Sequence, residues 1–124
     1  MRILLAGLAV AFSCACSGGA FAADEAGKAA FNNNCRTCHS WKKDDNRLGP
    51  NLHGIVGRKA GAAEGFAYSE AVKKSGITCD ESSLDKFITN PNGFIPNNNM
   101  KPFGGIADAG TRKQIIDFLK SNPE

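Results

Sequence analysis

Apolar residues recur with a helical period in several stretches of this 124-residue chain. Near its start, Gly27, Phe31 and Cys35 lie four residues apart, so they share one face of a helix. Asp24 is a favoured N-cap, and the helix is predicted to begin there. A second long helix is predicted over residues 107–122, where apolar positions again fall on one face. Its predicted buried residues are Ile115, Ile116, Phe118 and Leu119.

Two shorter helices are predicted between these from their end signals. One is capped by Ser69 and stopped by Gly76, since serine favours an N-cap and glycine favours a helix C-terminus. The other has Thr78 and Glu81 at the spacing of a capping box and ends before Pro91. Its apolar stripe consists of Leu84, Phe87 and Ile88.

Two long segments carry no lasting period. Residues 40–67 are rich in glycine, lysine and aspartate, which fits either an ordered loop or a disordered linker. Residues 90–106 hold three prolines, three glycines and a run of asparagines, and no regular structure is predicted there. The sequence therefore predicts an all-α domain of about four helices and long loops, without strands. Loops of this length in so small a domain favour a large group bound at its centre.

The first 22 residues have the pattern of a secretory signal. Arg2 precedes an apolar run over residues 3–12, and residues 20–22, Ala-Phe-Ala, form a small-residue cleavage site. A membrane anchor is disfavoured because the run is shorter than the roughly 20 residues that span a bilayer. We expect cleavage after Ala22 and export through the general secretory route, which leaves one domain of residues 23–124 in the periplasm.

Removing this leader changes the charge and the cysteine balance. Fourteen Lys and Arg residues then face twelve Asp and Glu residues, and this near-neutral charge does not favour nucleic acid as a partner. The leader takes away Cys14 and Cys16, either of which is an alternative lipid-attachment site, although neither follows a Leu-Ala-Gly type of sequence. The cysteines left are Cys35, Cys38 and Cys79, an odd number that argues against a disulfide scaffold.

Cys35, Cys38 and His39 form a C-x-x-C-H motif that three kinds of chemistry use. A disulfide-exchange site would follow a strand, but here a predicted helix precedes the motif. A zinc site would need a second ligand pair, and the remaining candidates, His53 and Cys79, are far apart in sequence. Covalent haem attachment is favoured, since each thiol can add to a vinyl group of the porphyrin and His39 can ligate the iron through Nε2.

Met100 is the candidate for the second axial position of that iron. Met1 leaves with the leader, so Met100 is the only thioether in the remaining sequence. A thioether opposite an imidazole raises the reduction potential and favours Fe(II). The alternatives are a core-filling role for Met100 and ligation by His53. The asparagine- and proline-rich surroundings of Met100 disfavour a core-filling role. His53 lies only three residues after Pro50, which favours a place in a loop over ligation of the iron.

Five segments together resemble class I c-type cytochromes, specifically the branch of mitochondrial cytochrome c and its soluble bacterial relatives. The segments are C-R-T-C-H, G-P-N-L-H-G-I-V-G-R, G-F-A-Y-S-E-A, G-I-T and F-I-P-N-N-N-M. The resemblance implies the small class I cytochrome c fold around one haem c, held through two thioethers, with His39 and Met100 on the iron. It also implies a monomeric electron carrier of a respiratory chain that docks transiently with reductases and oxidases. Such a protein is not an enzyme and has no small-molecule substrate.

The resemblance implies further roles around the haem. The carbonyl of Pro50 would accept a hydrogen bond from His39, and Leu52 would pack on the haem. Arg58 and Tyr68 would form hydrogen bonds around a buried propionate. The implied contact between the first and last helices is that of Gly27 with Phe118.

The chain also departs from the family pattern. Three polar residues that the family places near the haem are replaced by Val72, Cys79 and Phe87. We therefore consider Trp41 as a replacement donor to the propionate, with surface packing of its ring as the alternative. One additional residue between the methionine and Phe103 leaves open whether Phe103 covers the haem edge.

The segment around Met100 also bears on function. The mitochondrial branch clusters lysines around the haem edge, whereas this chain has asparagines at positions 97–99 and Lys101 alone beside the methionine. We therefore expect docking to depend less on salt than in those relatives. If Met100 does not stably ligate the iron, the alternatives are a small peroxidase-like haem enzyme or a gas-binding module.

Overall fold

The computed structural model describes residues 11, 13 and 19–121. Most of the predicted leader, including Cys14 and Cys16, lies outside the described residues. In chain order the elements are α1 (Gly19–Asn34), β1 (Arg58–Lys59), α2 (Glu70–Lys74), β2 (Thr78–Cys79), α3 (Glu81–Thr89), α4 (Pro91–Phe94) and α5 (Ala109–Ser121). The predominance of helix confirms the predicted class. No helix in this described part of the chain is both long and apolar enough to cross a membrane.

The first and last helices pack against each other through Gly27. A Cβ atom at this position would lie 2.6 Å from Cβ of Phe118 and 2.8 Å from the carbonyl oxygen of Gln114. Only glycine lets the two helices approach this closely, and the predicted contact is confirmed. The core beside the crossing consists of Ala30, Phe31, Ile55, Ile106, Ile115, Phe118 and Leu119.

The start of α1 differs from the prediction. In the full chain the helix begins at Gly19, inside the predicted leader, and not at Asp24, because the intervening alanine-rich residues are strong helix formers that continue the helix toward the N-terminus. Asp24 consequently lies inside the helix, where its Oδ1 accepts a hydrogen bond of 3.3 Å from Oγ of Ser121 in α5.

The cap of α3 also differs from the prediction. The N-cap is Asp80, whose Oδ1 accepts from the backbone N–H of Ser83 at 2.7 Å, while Oγ of Ser83 accepts from the N–H of Asp80 at 2.9 Å. The predicted cap, Thr78, pairs instead with Lys59 in an antiparallel ladder. That ladder joins β1 to β2, and the sequence pattern did not predict it because each strand has only two residues.

A single helical turn, α4, occupies part of the segment predicted to lack regular structure. Pro91 stands at the first position of the turn, where its missing N–H costs no hydrogen bond. Asn90 is the N-cap, and its Oδ1 accepts from the N–H of Gly93 at 3.1 Å. The prediction was therefore wrong for residues 91–94, since the turn depends on local caps and not on an apolar period.

Trp41 packs beside the crossing of α1 and α5. Its ring centroid lies 5.3 Å from that of Phe31 and 5.4 Å from that of Phe118, both in edge-to-face geometry. Phe31 and Phe118 are themselves 5.9 Å apart, so the three rings form one cluster. The half-buried indole therefore has a packing role at the helix crossing, and its role as a donor to a propionate stays a prediction.

Candidate functional site

The C-x-x-C-H motif forms a tight turn that continues from the end of α1. The backbone N–H of Cys35 donates to the carbonyl of Phe31 at 2.7 Å, and the N–H groups of Cys38 and His39 donate to the carbonyl of Cys35 at 3.1 and 2.9 Å. Both cysteines are half-buried and carry free thiols. Burial, together with the neighbouring Cys38, raises the pKa of the Cys35 thiol to about 12. The turn thus presents two thiols and one imidazole within five consecutive residues.

The imidazole of His39 is held in one orientation. The side chain is 6% exposed, and Nδ1 lies 2.7 Å from the carbonyl oxygen of Pro50. Because a carbonyl can only accept, Nδ1 carries the proton and the lone pair of Nε2 is left free for a metal. Burial lowers the pKa of His39, which favours the neutral ring that metal ligation requires.

Gly49 packs directly against this imidazole. A Cβ atom at position 49 would lie 2.7 Å from Nδ1 and 2.9 Å from Nε2 of His39. The backbone N–H of Gly49 donates to the carbonyl of Cys38 at 2.7 Å, so the glycine is bonded to the residue directly before the histidine. Gly49 and Pro50 therefore fix the ring from its face and from its Nδ1 edge.

Residues 51 and 52 continue the contact between this segment and the motif. The N–H of Leu52 donates to the carbonyl of Ser40 at 2.8 Å. The Leu52 side chain is half-buried and packs against the core cluster. Asn51 is 6% exposed, and its carbonyl accepts from Nη2 of Arg58 at 2.8 Å. The loop over residues 49–52 is thus ordered, which resolves the choice left open for this part of the 40–67 segment.

Arg58 brings a guanidinium to the same region and leaves one donor unused. Nη1 donates to the carbonyl of His53 at 2.9 Å, in addition to the Nη2 bond to Asn51. Nε is buried and has no hydrogen-bond partner among the residues that the structure describes. A buried donor without an acceptor is costly in a folded protein, so this N–H points to an acceptor supplied by a bound group.

Tyr68 holds the loop that precedes it, and its implied bond to a propionate stays a prediction. Its hydroxyl oxygen accepts from the backbone N–H of Ala63 at 3.0 Å, and its ring packs edge-to-face on Phe66 with centroids 5.0 Å apart. These contacts close the loop over residues 63–68. The hydroxyl proton is not used in this bond and can be donated to another acceptor.

Cys79 lies directly opposite Arg58 in the β1–β2 ladder. Burial raises the pKa of its thiol, and the positive charge of Arg58 partly opposes that shift. The thiol therefore stays neutral beside the guanidinium at neutral pH.

Met100 is half-buried at the end of a turn built from asparagines. Its backbone N–H donates to Oδ1 of the buried Asn98 at 2.7 Å, and Nδ2 of Asn98 donates to the carbonyl of Ile95 at 2.8 Å. Asn97 and Asn99 adopt left-handed backbone angles, with φ of 63° and 64°. Asparagine tolerates this conformation better than most residues, which explains the composition of the run.

Sequence reasoning did not identify the supporting role of the buried asparagines. Asn98 is the middle residue of three asparagines and Asn51 follows Pro50, so the sequence carries no signal that separates these buried asparagines from exposed ones. Among the described residues, no three side chains of His, Cys, Asp or Glu come together as a metal site would require.

Comparison with known proteins decides the family. The sequence model of cytochrome c matches residues 25–123. This chain belongs to the cytochrome c family. Cytochrome c of Gibberella zeae is 40% identical over 93 residues, which cover 74% of this chain and 87% of that protein. Cytochrome c2 iso-2 of Magnetospirillum fulvum is 42% identical over 87 residues, covering 70% and 90% of the two chains.

The fold agrees with that of a solved cytochrome. Cytochrome cH from Methylobacterium extorquens superposes with a TM-score of 0.73 at 40% identity, covering 80% of this chain and 98% of that one. The class I cytochrome c fold predicted from the sequence is confirmed.

As a member of the cytochrome c family, the chain carries one covalently bound haem c with its iron and serves as an electron carrier, not as an enzyme. Two observations show that its residues suit this group. Nε2 of His39 is left available by the bond from Nδ1 to Pro50. The buried Nε–H of Arg58 has the chemistry to meet a carboxylate such as a haem propionate.

Proposed function

We propose that this cytochrome is a soluble periplasmic electron carrier whose haem c is attached through Cys35 and Cys38 and whose iron is ligated by His39 and Met100. The observation that carries the proposal is the buried His39 ring, which directs Nδ1 to the Pro50 carbonyl and leaves Nε2 for the iron. The asparagine-built turn before Met100 supports the second ligand, because it orders the backbone at the thioether.

Each protein group has a distinct task in this mechanism. When bound, haem c supplies the one-electron change between Fe(III) and Fe(II). Pro50 holds the proton on Nδ1 of His39 and so keeps the imidazole oriented and basic. The Met100 thioether would be the second iron ligand, a type of ligand that favours Fe(II). Arg58 would donate its Nε–H to a propionate, Tyr68 would be a further donor, and Leu52 would pack on the haem.

The location of the protein is proposed from its sequence. Residues 1–22 serve as the leader, and residues 23–124 form the exported cytochrome domain. Support comes from the charged start, the apolar run and the small residues before position 23. A lipid anchor at Cys14 or Cys16 is the alternative, and mass spectrometry of the purified protein separates it from a chain that begins at Ala23.

We propose that the carrier acts as a monomer that docks transiently with membrane or periplasmic reductases and oxidases. Residues 97–99, next to Met100, are uncharged amides, and Lys101 is the basic residue beside them. Docking at this face should respond weakly to ionic strength, because screening acts on charges. Electron-transfer rates measured from low to high salt test this point, and a steep fall would contradict it.

The ligation is tested with the exported, haem-loaded protein. The oxidised wild type is expected to show the weak far-red absorption band that reports sulfur on ferric haem, and Met100→Ala should abolish it. Lys101→Ala is the matched control, since this exposed neighbour should leave the band intact.

Three results would overturn the proposal. High-spin ferric features with rapid reaction toward peroxide in the wild type would indicate the peroxidase-like enzyme. Carbon monoxide binding to the reduced wild type at neutral pH would indicate the gas-binding module. A far-red band that persists in Met100→Ala would assign the sulfur ligand elsewhere.

A further inference from the structure

We infer that Asn46 is a positioning residue that sets the orientation of the His39 imidazole through the peptide bond between Pro50 and Asn51. The inference rests on the proposed role of His39 as the iron ligand. It deepens that role by naming the group that fixes the acceptor of the Nδ1 proton.

The carboxamide of Asn46 uses both of its ends. Its Oδ1 accepts from the backbone N–H of Asn51 at 3.0 Å and from Nδ2 of Asn51 at 2.8 Å. Its own Nδ2 donates to the backbone carbonyl of Glu64 at 2.8 Å. One half-buried side chain thus joins the loop over residues 46–51 to the loop that contains Glu64.

The first of these bonds acts on His39 because of peptide geometry. The N–H of Asn51 and the carbonyl of Pro50 belong to one planar peptide unit, in which N–H and C=O point in opposite directions. Asn46 binds the N–H side at 3.0 Å, and Nδ1 of His39 binds the carbonyl side at 2.7 Å. A tilt of this plane would move the carbonyl away from the imidazole, so the acceptor at Asn46 holds both hydrogen bonds in line.

The same arrangement polarises the histidine. Hydrogen bonds in a chain strengthen one another, because an N–H that donates makes the carbonyl of its own peptide a better acceptor. The bond from Asn51 to Asn46 therefore strengthens the bond from His39 to Pro50. A stronger acceptor at Nδ1 raises the basicity of Nε2.

Asn51 extends this support to the guanidinium. Its carbonyl accepts from Nη2 of Arg58 at 2.8 Å, and the residue is 6% exposed. The same short segment therefore contacts His39 through Pro50 and Arg58 through Asn51. Asn46 binds the N–H of the peptide bond between Pro50 and Asn51. Loss of its carboxamide should therefore weaken both the contact of Pro50 with His39 and the contact of Asn51 with Arg58.

The test uses two substitutions of Asn46 in the reduced, haem-loaded protein. Asn46→Ala removes both ends of the carboxamide. Asn46→Asp keeps oxygens that accept from Asn51 and loses the donor to Glu64. The readout is solvent exchange of the His39 Nδ1 proton by NMR, together with exchange of the Ala63 N–H, which reports on the second loop through its bond to Tyr68.

We expect Asn46→Ala to accelerate exchange of the Nδ1 proton about ten-fold, the size of effect that the loss of a single net hydrogen bond produces. Asn46→Asp should leave that exchange near the wild-type rate and accelerate only exchange at Ala63. The reduction potential of Asn46→Ala should rise, because a less basic His39 donates less to Fe(III). Ser69→Ala is the control, since it removes the α2 cap from Val72 and lowers stability without touching this segment.

Two results would refute the inference. The first is that the Nδ1 proton of His39 exchanges no faster in Asn46→Ala than in Ser69→Ala, which would show that the faster exchange reflects lower overall stability. The second is that Asn46→Asp accelerates this exchange as much as Asn46→Ala, which would show that the acceptor oxygen at position 46 does not control the exchange. If the wild type lacks the far-red band, only the proposed ligation by Met100 is overturned. The test of His39 does not depend on that band.

Discussion

Replacing Gly49 with alanine should displace the His39 imidazole. The added Cβ would lie 2.7 Å from Nδ1 and 2.9 Å from Nε2, whereas non-bonded heavy atoms prefer about 3.5 to 4.0 Å. The ring, or the backbone at Gly49, must therefore shift by roughly 1 Å. Because Gly49 lies on the face of the ring, a shift of that size would move Nδ1 out of line with the Pro50 carbonyl and weaken the 2.7 Å hydrogen bond between them.

The expected magnitude follows from two opposing effects. Overpacking a tightly packed site costs about 1–3 kcal/mol. The backbone at Gly49 is not in the left-handed region, so alanine regains about 0.4–1 kcal/mol by restricting the unfolded chain. Together these predict a net loss of up to about 2.5 kcal/mol, centred on about 1 kcal/mol, in the free energy of unfolding.

The assay is guanidinium unfolding of the haem-loaded protein, with the reduction potential measured on the same samples. The potential should rise in Gly49→Ala, because a weaker hydrogen bond from Nδ1 to Pro50 lowers the basicity of His39. Gly110→Ala is the matched control. Its Cβ would meet only the carboxylate end of Asp108 at 3.3 Å on the exposed start of α5. If Gly49→Ala keeps the stability and potential of the wild type, the close packing of the ring is refuted.

Further predictions concern other parts of the fold. Gly27→Ala should lower the free energy of unfolding by up to about 2.5 kcal/mol, because its clash with Phe118 costs about 1–3 kcal/mol and alanine regains about 0.5–1 kcal/mol as the better helix former. Urea unfolding that finds a gain in stability would contradict the close helix crossing. Hydrogen bonds from Ser83 hold the pKa of Asp80 below its ordinary value, so the cap is effective at neutral pH and weakens as pH falls through that lowered pKa. Unfolding midpoints measured across acid pH should show this slope in the wild type, and Asp80→Asn should flatten it. Burial raises the pKa of Cys79, so stability should fall as pH rises above the ordinary thiol value, and Cys79→Ala should remove that fall in alkaline unfolding curves.

Local patterns predicted the parts of the fold that depend on local physics. The buried face of α5 follows from the spacing of its apolar residues, and all four predicted residues are buried, from Ile115 to Leu119. The α2 cap at Ser69 follows from side-chain chemistry and is also confirmed. These features need no knowledge of distant residues.

Features that depend on distant pairing were not predictable in the same way. Thr78 has the chemistry of a cap, but its pairing with Lys59 places it in a strand and moves the cap to Asp80. The start of α1 was misplaced because alanines before Asp24 extend the helix. Around the site, the contact of His39 with Pro50 was expected from family resemblance. The bonds of Asn46 were not, because loop closure brings its partners together without any periodic signal.

The supports behind both proposed iron ligands are uncharged. The Pro50 carbonyl orients His39, and the Asn46 carboxamide binds the N–H of the same peptide unit. The Asn98 carboxamide accepts from the backbone N–H of Met100. Carboxamides donate and accept without gaining or losing protons. Carboxylates or a second histidine in these places would titrate within or near the working pH range and shift with salt. The chain would therefore hold both proposed ligands with groups whose geometry is independent of pH and ionic strength, and the permanent charge of the Arg58 guanidinium lies at Asn51, beside the support of His39.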